Sequence, residues 1–352
     1  MFLIGCSHQK IVENNTFDLI VNRYPEVTPG LVMSLGTVTK GNVFRKAYGF
    51  SSVRPKKVQA TLETPYDIAS ITKLFTATAI AMLVEEGKLQ YETKVVEVFP
   101  DFGTSLEKKE ITVEDLLRHK SGLPEYFEKR NFYVENDLSK TWKGILATPL
   151  VNKLREKFLY SNTGYMILAK IVEAKSKISF DKFVEEKIFK PLDMKNSFFI
   201  SERNDCAPTT TDGLKPCIVD DIWAQRLGRV AGHDSIFSTV LDLEKFSLFL
   251  LGEKPYLLKP VTLNKMVSFK EGEVQGLGPD ILSEYSEAPR GDYFHKGKSF
   301  GHTGFTGTSI WIDPTRSSYL IILGNRQHLT RENIRPMRKE LANAAALYLD
   351  EL

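Results

Sequence analysis

Ser70-Ile71-Thr72-Lys73 sets a hydroxyl and an amine three residues apart, the spacing at which two side chains on a helix meet. Serine attack on an acyl carbon needs a neighbour that accepts the hydroxyl proton and N–H donors for the developing oxyanion. Lys73 meets the first need, and the free backbone N–H groups of a first helical turn meet the second. The tetrapeptide alone is weak evidence: Ser7 to Lys10, Ser105 to Lys108 and Ser179 to Lys182 share its form, and Ser179 reads as a helix N-cap. Placement distinguishes Ser70, because Lys73 heads the apolar run LFTATAIAMLV, where an ammonium is costly unless paired or used.

Two further groups carry usable chemistry. Tyr160-Ser161-Asn162, the only Y-x-N in the chain, stands at the entrance to an amphipathic segment. A phenol beside an ammonium has its ionised form favoured, so Tyr160 is a candidate proton carrier. The alternative reading is a half-buried aromatic at a strand end, with Asn162 a loop or capping residue. His302-Thr303-Gly304 falls in SFGHTGFTGTSIWI, a predicted strand in which glycine lets substrate backbone approach. By itself His302 reads as a satisfied core or surface histidine. Lys120-Ser121-Gly122 has similar chemistry but follows VEDLLRHK, so Gly122 reads as a helix stop.

Several other chemistries lack their residues. There is no GxSxG, HExxH or CxxC, which sets aside α/β-hydrolases, zincins and zinc ribbons. Gly291 to Ser299 resembles a phosphate loop but has one residue too many between its glycines, and its interior is bulky. The histidines at 8, 119, 233, 295, 302 and 328 show no ligand spacing. Neither a metal nor another cofactor is expected.

Elements must hold these residues. A short helix over Phe17 to Arg23 precedes two strands, GLVMSLGTV and VFRKAYGF, joined through Gly41-Asn42 as a hairpin. Leu74 to Glu86 is helical and ends at Gly87. Thr112 to Asp115 has the form of a capping box, and helices follow at Gly164 to Ala174, Phe180 to Phe189 and Leu241 to Leu251. Strands return in SFGHTG, TSIWIDP and SYLIILGN, before a closing helix over Asn333 to Leu349. Strand sets at both ends most economically share one sheet. The expected fold is an α/β (α+β) sandwich with a central antiparallel sheet flanked by helices. Residues 1–95 and 255–352 form the sheet domain, 96–254 an inserted, mainly helical lobe, and the active site lies in the cleft between them.

Composition agrees with a globular chain. The 352 residues are 42% apolar and 26% charged, enough to bury a sizeable core. Lys and Arg total 47 against 44 acidic residues, a net charge of +3. That lacks the basic excess a phosphate backbone demands, so nucleic acid is not an expected partner. No apolar run approaches the roughly 20 residues of a membrane span. Cys6, Cys206 and Cys217 are too few for a disulfide framework. Cys206 and Cys217 flank a turn and can face each other, but ordinary small side chains are the leading reading. Leu3-Ile4-Gly5-Cys6 resembles a lipobox without the preceding apolar region. The chain as written reads as cytoplasmic, with a lipoprotein anchored at Cys6 the alternative if the start is truncated.

Taken in order, S-x-x-K, Y-x-N and H-T-G resemble the three active-site motifs of the penicillin-recognising serine hydrolases. This superfamily includes class C β-lactamases, D-Ala-D-Ala carboxypeptidases, D-aminopeptidases and related esterases. TVEDLLRHKSGLP, YSNTGYMILAKIVE, GRVAGHDSIFST and GNRQH are similar to accessory patterns of that family. The resemblance runs from about Gly30 to the C-terminal helix and implies the same sandwich with a helical lobe. It also implies that Ser70 is the acylated nucleophile, Lys73 its hydrogen-bonded partner and Tyr160 the general base and acid. Backbone N–H groups of Ser70 and Phe305 would form the oxyanion hole, with Asn162, His302, Thr303 and Gly304 binding substrate. Whether Lys73 or Tyr160 first takes the proton stays open. The departure is His302, where family members that capture a carboxylate usually carry lysine. Histidine is only partly charged near neutral pH. The expectation is therefore a serine hydrolase acting through an acyl-enzyme on D-amino-acid peptides or small esters. The alternatives are a true β-lactamase and a non-catalytic penicillin-binding sensor. The expected partner is a small-molecule or peptide substrate. The residues 120 to 160, with the aromatic-rich EYFEKRNFYVEN, read as a lid or as plain packing.

Overall fold

A computed structural model of the chain describes residues 15–127, 137–199, 202–210, 212–268, 273–284, 289–292, 294, 298–328 and 331–352. Cys6, the Ser7 to Lys10 tetrapeptide and most of EYFEKRNFYVEN lie outside the described residues. The sheet is built from the two ends of the chain. Strands β1 (Gly30–Thr37), β2 (Gly41–Ser52) and β3 (Val58–Gln59) come from the start, and β6 (Phe300–Thr303), β7 (Ser309–Asp313) and β8 (Ser318–Gly324) from the end. Their order is β3-β2-β1-β8-β7-β6, with every pairing antiparallel. β1 and β8 join the two sets with Leu31 opposite Gly324 and Thr37 opposite Ser318. A separate small pair joins β4 (Tyr66–Asp67) to β5 (Phe237–Ser238).

Alternation along the strands explains the layers, because successive side chains point to opposite faces. Leu31, Met33, Leu35, Trp311, Leu320 and Ile322 pack with helices α1 (Asn15–Asn22) and α6 (Arg335–Asp350). Val32, Ile310, Ile312, Ile321 and Leu323 face the other way, into the main core. That core is completed by α2 (Thr72–Glu85), α4 (Asn162–Ser176) and α5 (Val240–Leu250), and it continues without a break into residues 102–199. A strand buried on both faces is mostly apolar, as β8 is from Tyr319 to Leu323.

α2 is buried continuously from Thr72 to Leu83, which is why its sequence has no polar face. Phe75 stacks on Phe246 of α5 with ring centroids 4.0 Å apart. α5, although within residues 96–254, also lies on the sheet. Its Glu244 accepts hydrogen bonds from Ser34 Oγ at 2.7 Å and Arg45 Nε at 2.8 Å, and its second oxygen pairs with Arg45 Nη2. Glu244 is buried and Arg45 partly exposed, so removing the carboxylate leaves a part-buried guanidinium without its counter-charge. Glu244→Ala is expected to lower unfolding free energy by about 3 kcal/mol, the low end of the range because Arg45 can turn to solvent. Urea denaturation measures this, and a loss below about 0.5 kcal/mol, the scale of an ordinary surface change, would refute the anchoring role.

Two sequence expectations are corrected. Cys206 and Cys217 are joined in a disulfide; the reversal between them, with Cys217 at φ 57°, brings both into a small buried cluster with Val219 and Phe237. Gly122 is not a helix stop. α3 (Val113–Leu117), capped by the expected reciprocal bonds of Thr112 and Asp115, ends earlier, and His119 takes the left-handed position at φ 56°. Gly122 is instead a point of close approach, where a Cβ would stand 2.2 Å from Asn152 O. No described helix is long and apolar enough to cross a membrane.

Candidate active site

Ser70 sits in a single 3₁₀ turn, Ala69–Ile71, that leads directly into α2. Ala69 before it is held at φ 49°, a left-handed conformation that costs a non-glycine residue about 1–2 kcal/mol. The surroundings enforce it. Asp67 Oδ1 accepts from Ala69 N at 2.9 Å, while Oδ2 accepts from Asp220 N at 2.8 Å. Thr306 Oγ1 donates to Asp67 O at 2.7 Å and Thr308 Oγ1 to Ile68 O at 3.1 Å. The turn after β6 is thereby tied to the backbone just ahead of Ser70. Gly304 permits this: a Cβ there would lie 2.0 Å from Thr308 Oγ1 and 2.6 Å from Ile68 O. The approach that this glycine serves is with the chain itself.

Lys73 is wholly buried, directly behind Ser70. Its Nζ bonds Ser70 Oγ at 2.9 Å and His233 O at 2.9 Å. The second contact depends on Gly232, whose Cβ would stand 2.4 Å from Tyr165 O; without a side chain there the segment reaches α2. Tyr160 OH donates to Ser70 Oγ at 2.9 Å, so amine and phenol converge on one hydroxyl. Tyr160 is supported from behind by His119, whose ring lies 4.7 Å from the phenol ring and whose Nδ1 accepts from Ser161 N at 2.9 Å. Ser161 Oγ in turn caps α4 at Gly164 N.

Burial governs the charges. It brings the Lys73 amine down to about 7, against the opposing pull of Asp234, Asp221 and Glu125. It also raises the Tyr160 phenol well above its ordinary value. Burial thus opposes the ionised form that a neighbouring ammonium favours, and the buried phenol keeps its proton. His302 is buried as well, and burial followed by Lys73 takes it down to about 3. Its Nδ1 lies 2.8 Å from Thr303 O, the contact of a neutral ring donating to a carbonyl. It offers an anion no charge.

Ser70, Tyr160, Asn162, His302, Thr303, Gly304 and Phe305 all line one cleft of about 700 Å³, with Lys73 sealed beneath. The two competing tetrapeptides among the described residues do not join them. Lys108 is buried with Nζ bonded to Leu146 O and Thr148 O, and Ser179 is the N-cap residue of the helix Phe180–Val184, without a side-chain capping bond. The cleft also contains residues that sequence reasoning left unassigned. Arg326, Arg331 and Arg335 line it together with Glu125, Asp221 and Asp234. Burial opposes ionisation of Asp221, but His233 Nε2 at 3.0 Å and Tyr126 OH at 2.6 Å prevail and hold it below the ordinary carboxylate range. The signal for several of these lay in GRVAGHDSIFST and GNRQH, which carry Asp234 and Arg326.

Comparison with known proteins identifies the family. The profile of the Beta-lactamase family matches residues 18–344, and the chain belongs to that family. A Salmonella gallinarum protein named "Putative D-alanyl-D-alanine carboxypeptidase" is 30% identical over 322 residues, 81% of this chain and 74% of that protein. Among solved structures, an octameric penicillin-binding protein homologue from Pyrococcus abyssi superposes with a TM-score of 0.73 at 25% identity, covering 94% of this chain and 76% of the other. A class C β-lactamase in complex with cefoxitin shares the fold with a TM-score of 0.76 at 20% identity, covering 96% and 98%. The protein is thus a serine hydrolase of the β-lactamase and penicillin-binding protein superfamily.

Proposed function

We propose that this hydrolase acts through an acyl-enzyme on Ser70 and that its substrates are D-amino-acid peptides, of the kind found in peptidoglycan, or small esters. The observation that carries the reading is the convergence of Lys73 Nζ and Tyr160 OH on Ser70 Oγ, each at 2.9 Å. In its neutral form Lys73 takes the Ser70 proton as Oγ bonds to the substrate carbonyl carbon, and the carbonyl π pair moves onto oxygen. N–H groups of Ser70 and Phe305 hold that oxyanion. When the tetrahedral species collapses, the leaving amine or alkoxide takes the Tyr160 proton, which the Lys73 ammonium replaces. Water then repeats the sequence on the acyl-enzyme, losing its proton to the same pair and releasing the acid. Asn162 and the His302–Phe305 edge orient the substrate.

The neutrality of His302 supports weak β-lactam turnover, since it supplies no cation for the drug's carboxylate. Arg326 on the cleft wall favours the second reading, a true β-lactamase, because its guanidinium is a permanent positive charge. Steady-state kinetics decide between them. On D-alanyl peptides, p-nitrophenyl esters and nitrocefin, the expected kcat/KM for the peptide or ester exceeds that for nitrocefin by about 100-fold, the scale of one lost charge-assisted contact. A nitrocefin efficiency near 10⁷ M⁻¹s⁻¹, roughly the upper enzymatic range, would overturn the proposal.

A further inference from the structure

We propose that Asp221 and His233 are positioning residues for the Ser70 reaction: the carboxylate anchors the imidazole, and the backbone carbonyl of the same histidine fixes the Lys73 amine against the serine. The proposal rests on the reading that Ser70 forms the acyl-enzyme with Lys73 as its base. His233 stands in GRVAGHDSIFST, and the acyl chemistry described above gives its ring no task. The ring is nevertheless 1% exposed, with Nε2 at 3.0 Å from Asp221 Oδ1 and Nδ1 without a partner. Burial lowers His233 below its ordinary value, so the ring is neutral, and the carboxylate selects the tautomer with its proton on Nε2. Asp221 is itself fixed from two further directions. Its Oδ1 also accepts from Ala224 N at 2.7 Å, as the cap of the short helix Ile222–Arg226, and its Oδ2 accepts from Tyr126 OH at 2.6 Å.

The consequence falls on Lys73. A neutral amine has two N–H groups and one lone pair, and it accepts the Ser70 proton only when the lone pair faces Oγ. His233 O takes one N–H at 2.9 Å, which leaves Nζ aimed at Ser70 Oγ at 2.9 Å. The carbonyl belongs to a segment outside the helices and strands, in which Ser235 is held at φ 123°, a conformation that non-glycine residues rarely adopt. Thr76 Oγ1 holds Gly232 O at 2.6 Å just ahead of it, and the Asp221 bond holds the side chain of the residue whose carbonyl meets Lys73. Charge adds a second effect. The groups acting on Lys73 are Asp221 and Asp234 from this segment and Glu125 from the loop ahead of α4. His119, His233 and His302 also face it, and the Tyr160 and Tyr165 rings lie 4.8 and 5.5 Å from Nζ. Burial lowers all three histidines, which leaves them uncharged near neutral pH, and burial raises Asp234 well above its ordinary value, favouring the neutral acid. Glu125 is exposed, where solvent screens it. Despite burial, His233 and Tyr126 hold Asp221 below the ordinary carboxylate range. It is the largely buried anion that remains, and it opposes burial in favouring the Lys73 ammonium.

The test follows the best-cleaved of the D-alanyl peptides and p-nitrophenyl esters in the wild type, His233→Ala, His233→Gln and Asp221→Asn. Glutamine sets an N–H donor where Nε2 stands, so it keeps the anchor without the ring. His233→Ala is expected to lower kcat by about 30-fold, the scale of a lost hydrogen bond to a charged group, with KM within about threefold of wild type. His233→Gln should recover kcat to within about fivefold of wild type. Asp221→Asn keeps an acceptor for the imidazole and removes the charge, so the acidic limb of its kcat profile is expected to move down from about 7 by about half a pH unit. A merely structural role would give neither the glutamine recovery nor the moved limb. The pairing is overturned by a folded His233→Ala whose kcat stays within about threefold of wild type, by a loss confined to KM, by a glutamine variant as impaired as the alanine one, or by an unmoved limb. An arm independent of turnover follows the Lys73 Cε resonance in isotope-labelled protein, identified by its loss in Lys73→Met. Its titration should move down in Asp221→Asn by the same amount as the limb, and an unmoved midpoint refutes the pair even if no substrate is cleaved. Absence of both turnover and a Ser70 adduct in the wild type refutes the hydrolytic reading instead, and the resonance then decides the pair.

Discussion

Ser70→Ala is expected to reduce kcat/KM by about 10⁴-fold or more on every substrate the wild type cleaves, the scale on which serine hydrolases respond to loss of the nucleophile. Three features make the effect this large. The amine and the phenol both address one oxygen. Ser70 follows a residue held at φ 49° by Asp67, so no nearby hydroxyl is presented to the cleft in the same way. The change removes one oxygen from a turn whose backbone bonds come from Asp67, Thr306 and Thr308, so the fold is expected to persist. Intact mass after incubation with benzylpenicillin or an activated ester gives a second readout. The wild type should gain one acyl group and the variant none. Retention of more than about 1% of wild-type activity by a folded variant would exclude Ser70 as nucleophile, because a lost covalent step costs far more than 100-fold.

Tyr160→Phe is expected to lower the plateau value of kcat by about 10²- to 10⁴-fold, the contribution of a placed proton donor, while the acidic limb of the pH profile stays near 7. The sign follows from the two shifts. Below about 7 Lys73 is an ammonium and cannot accept the Ser70 proton, so activity rises with pH and levels off above. Tyr160, raised well above its ordinary value by burial, stays protonated across that range and contributes to the height of the plateau rather than to the limb. His302, at about 3, does not titrate there. Asp67 also sits at about 7, raised by burial, but its two oxygens hold the Ala69 and Asp220 amides and do not touch Ser70. A pH profile whose limb disappears in Tyr160→Phe would make Tyr160 the base and reverse the order of proton transfer given above.

The replacement of lysine by His302 has a consequence that sequence and structure describe differently. From sequence, histidine is partly charged near neutral pH, and a weakened carboxylate site follows. Within the fold the ring is buried beside Lys73, which removes its charge altogether. Positive charge in the cleft comes instead from Arg326, Arg331 and Arg335, which follow β8 and lead into α6. The cleft thus has both signs, with the Asp221 carboxylate held ionised and arginines on the segment beyond Phe305. Arg326 lies over the Phe305 ring at 4.8 Å and bonds Phe305 O at 2.7 Å, which ties this charge to the edge proposed to orient the substrate.

Local pattern was enough to read the strands at both ends, the apolar helix after Ser70 and the capping box at Thr112, because side-chain period and end chemistry are properties of short segments. It was also enough to mark Ser70 with Lys73 and Tyr160 with Asn162, since each pair lies within one turn and a motif records a local spacing. Charge state and cross-chain contact were decided by tertiary structure. Whether Lys73 is an ammonium, whether Tyr160 keeps its proton and whether His302 carries charge depend on desolvation, which no residue determines from its neighbours in sequence. His233 reaches Lys73 across 160 positions through its carbonyl, and Gly304 is glycine because Ile68, far ahead of it in the chain, packs where a Cβ would stand. The sequence by itself determined the strands at the two ends, several of the helices between them and the residues capable of acyl chemistry, but not the β4 and β5 pair or the helix Leu138–Ala147. Only the tertiary structure decided which of several S-x-x-K serines meets a tyrosine and which cysteines join, because proximity and burial arise when distant segments share one core.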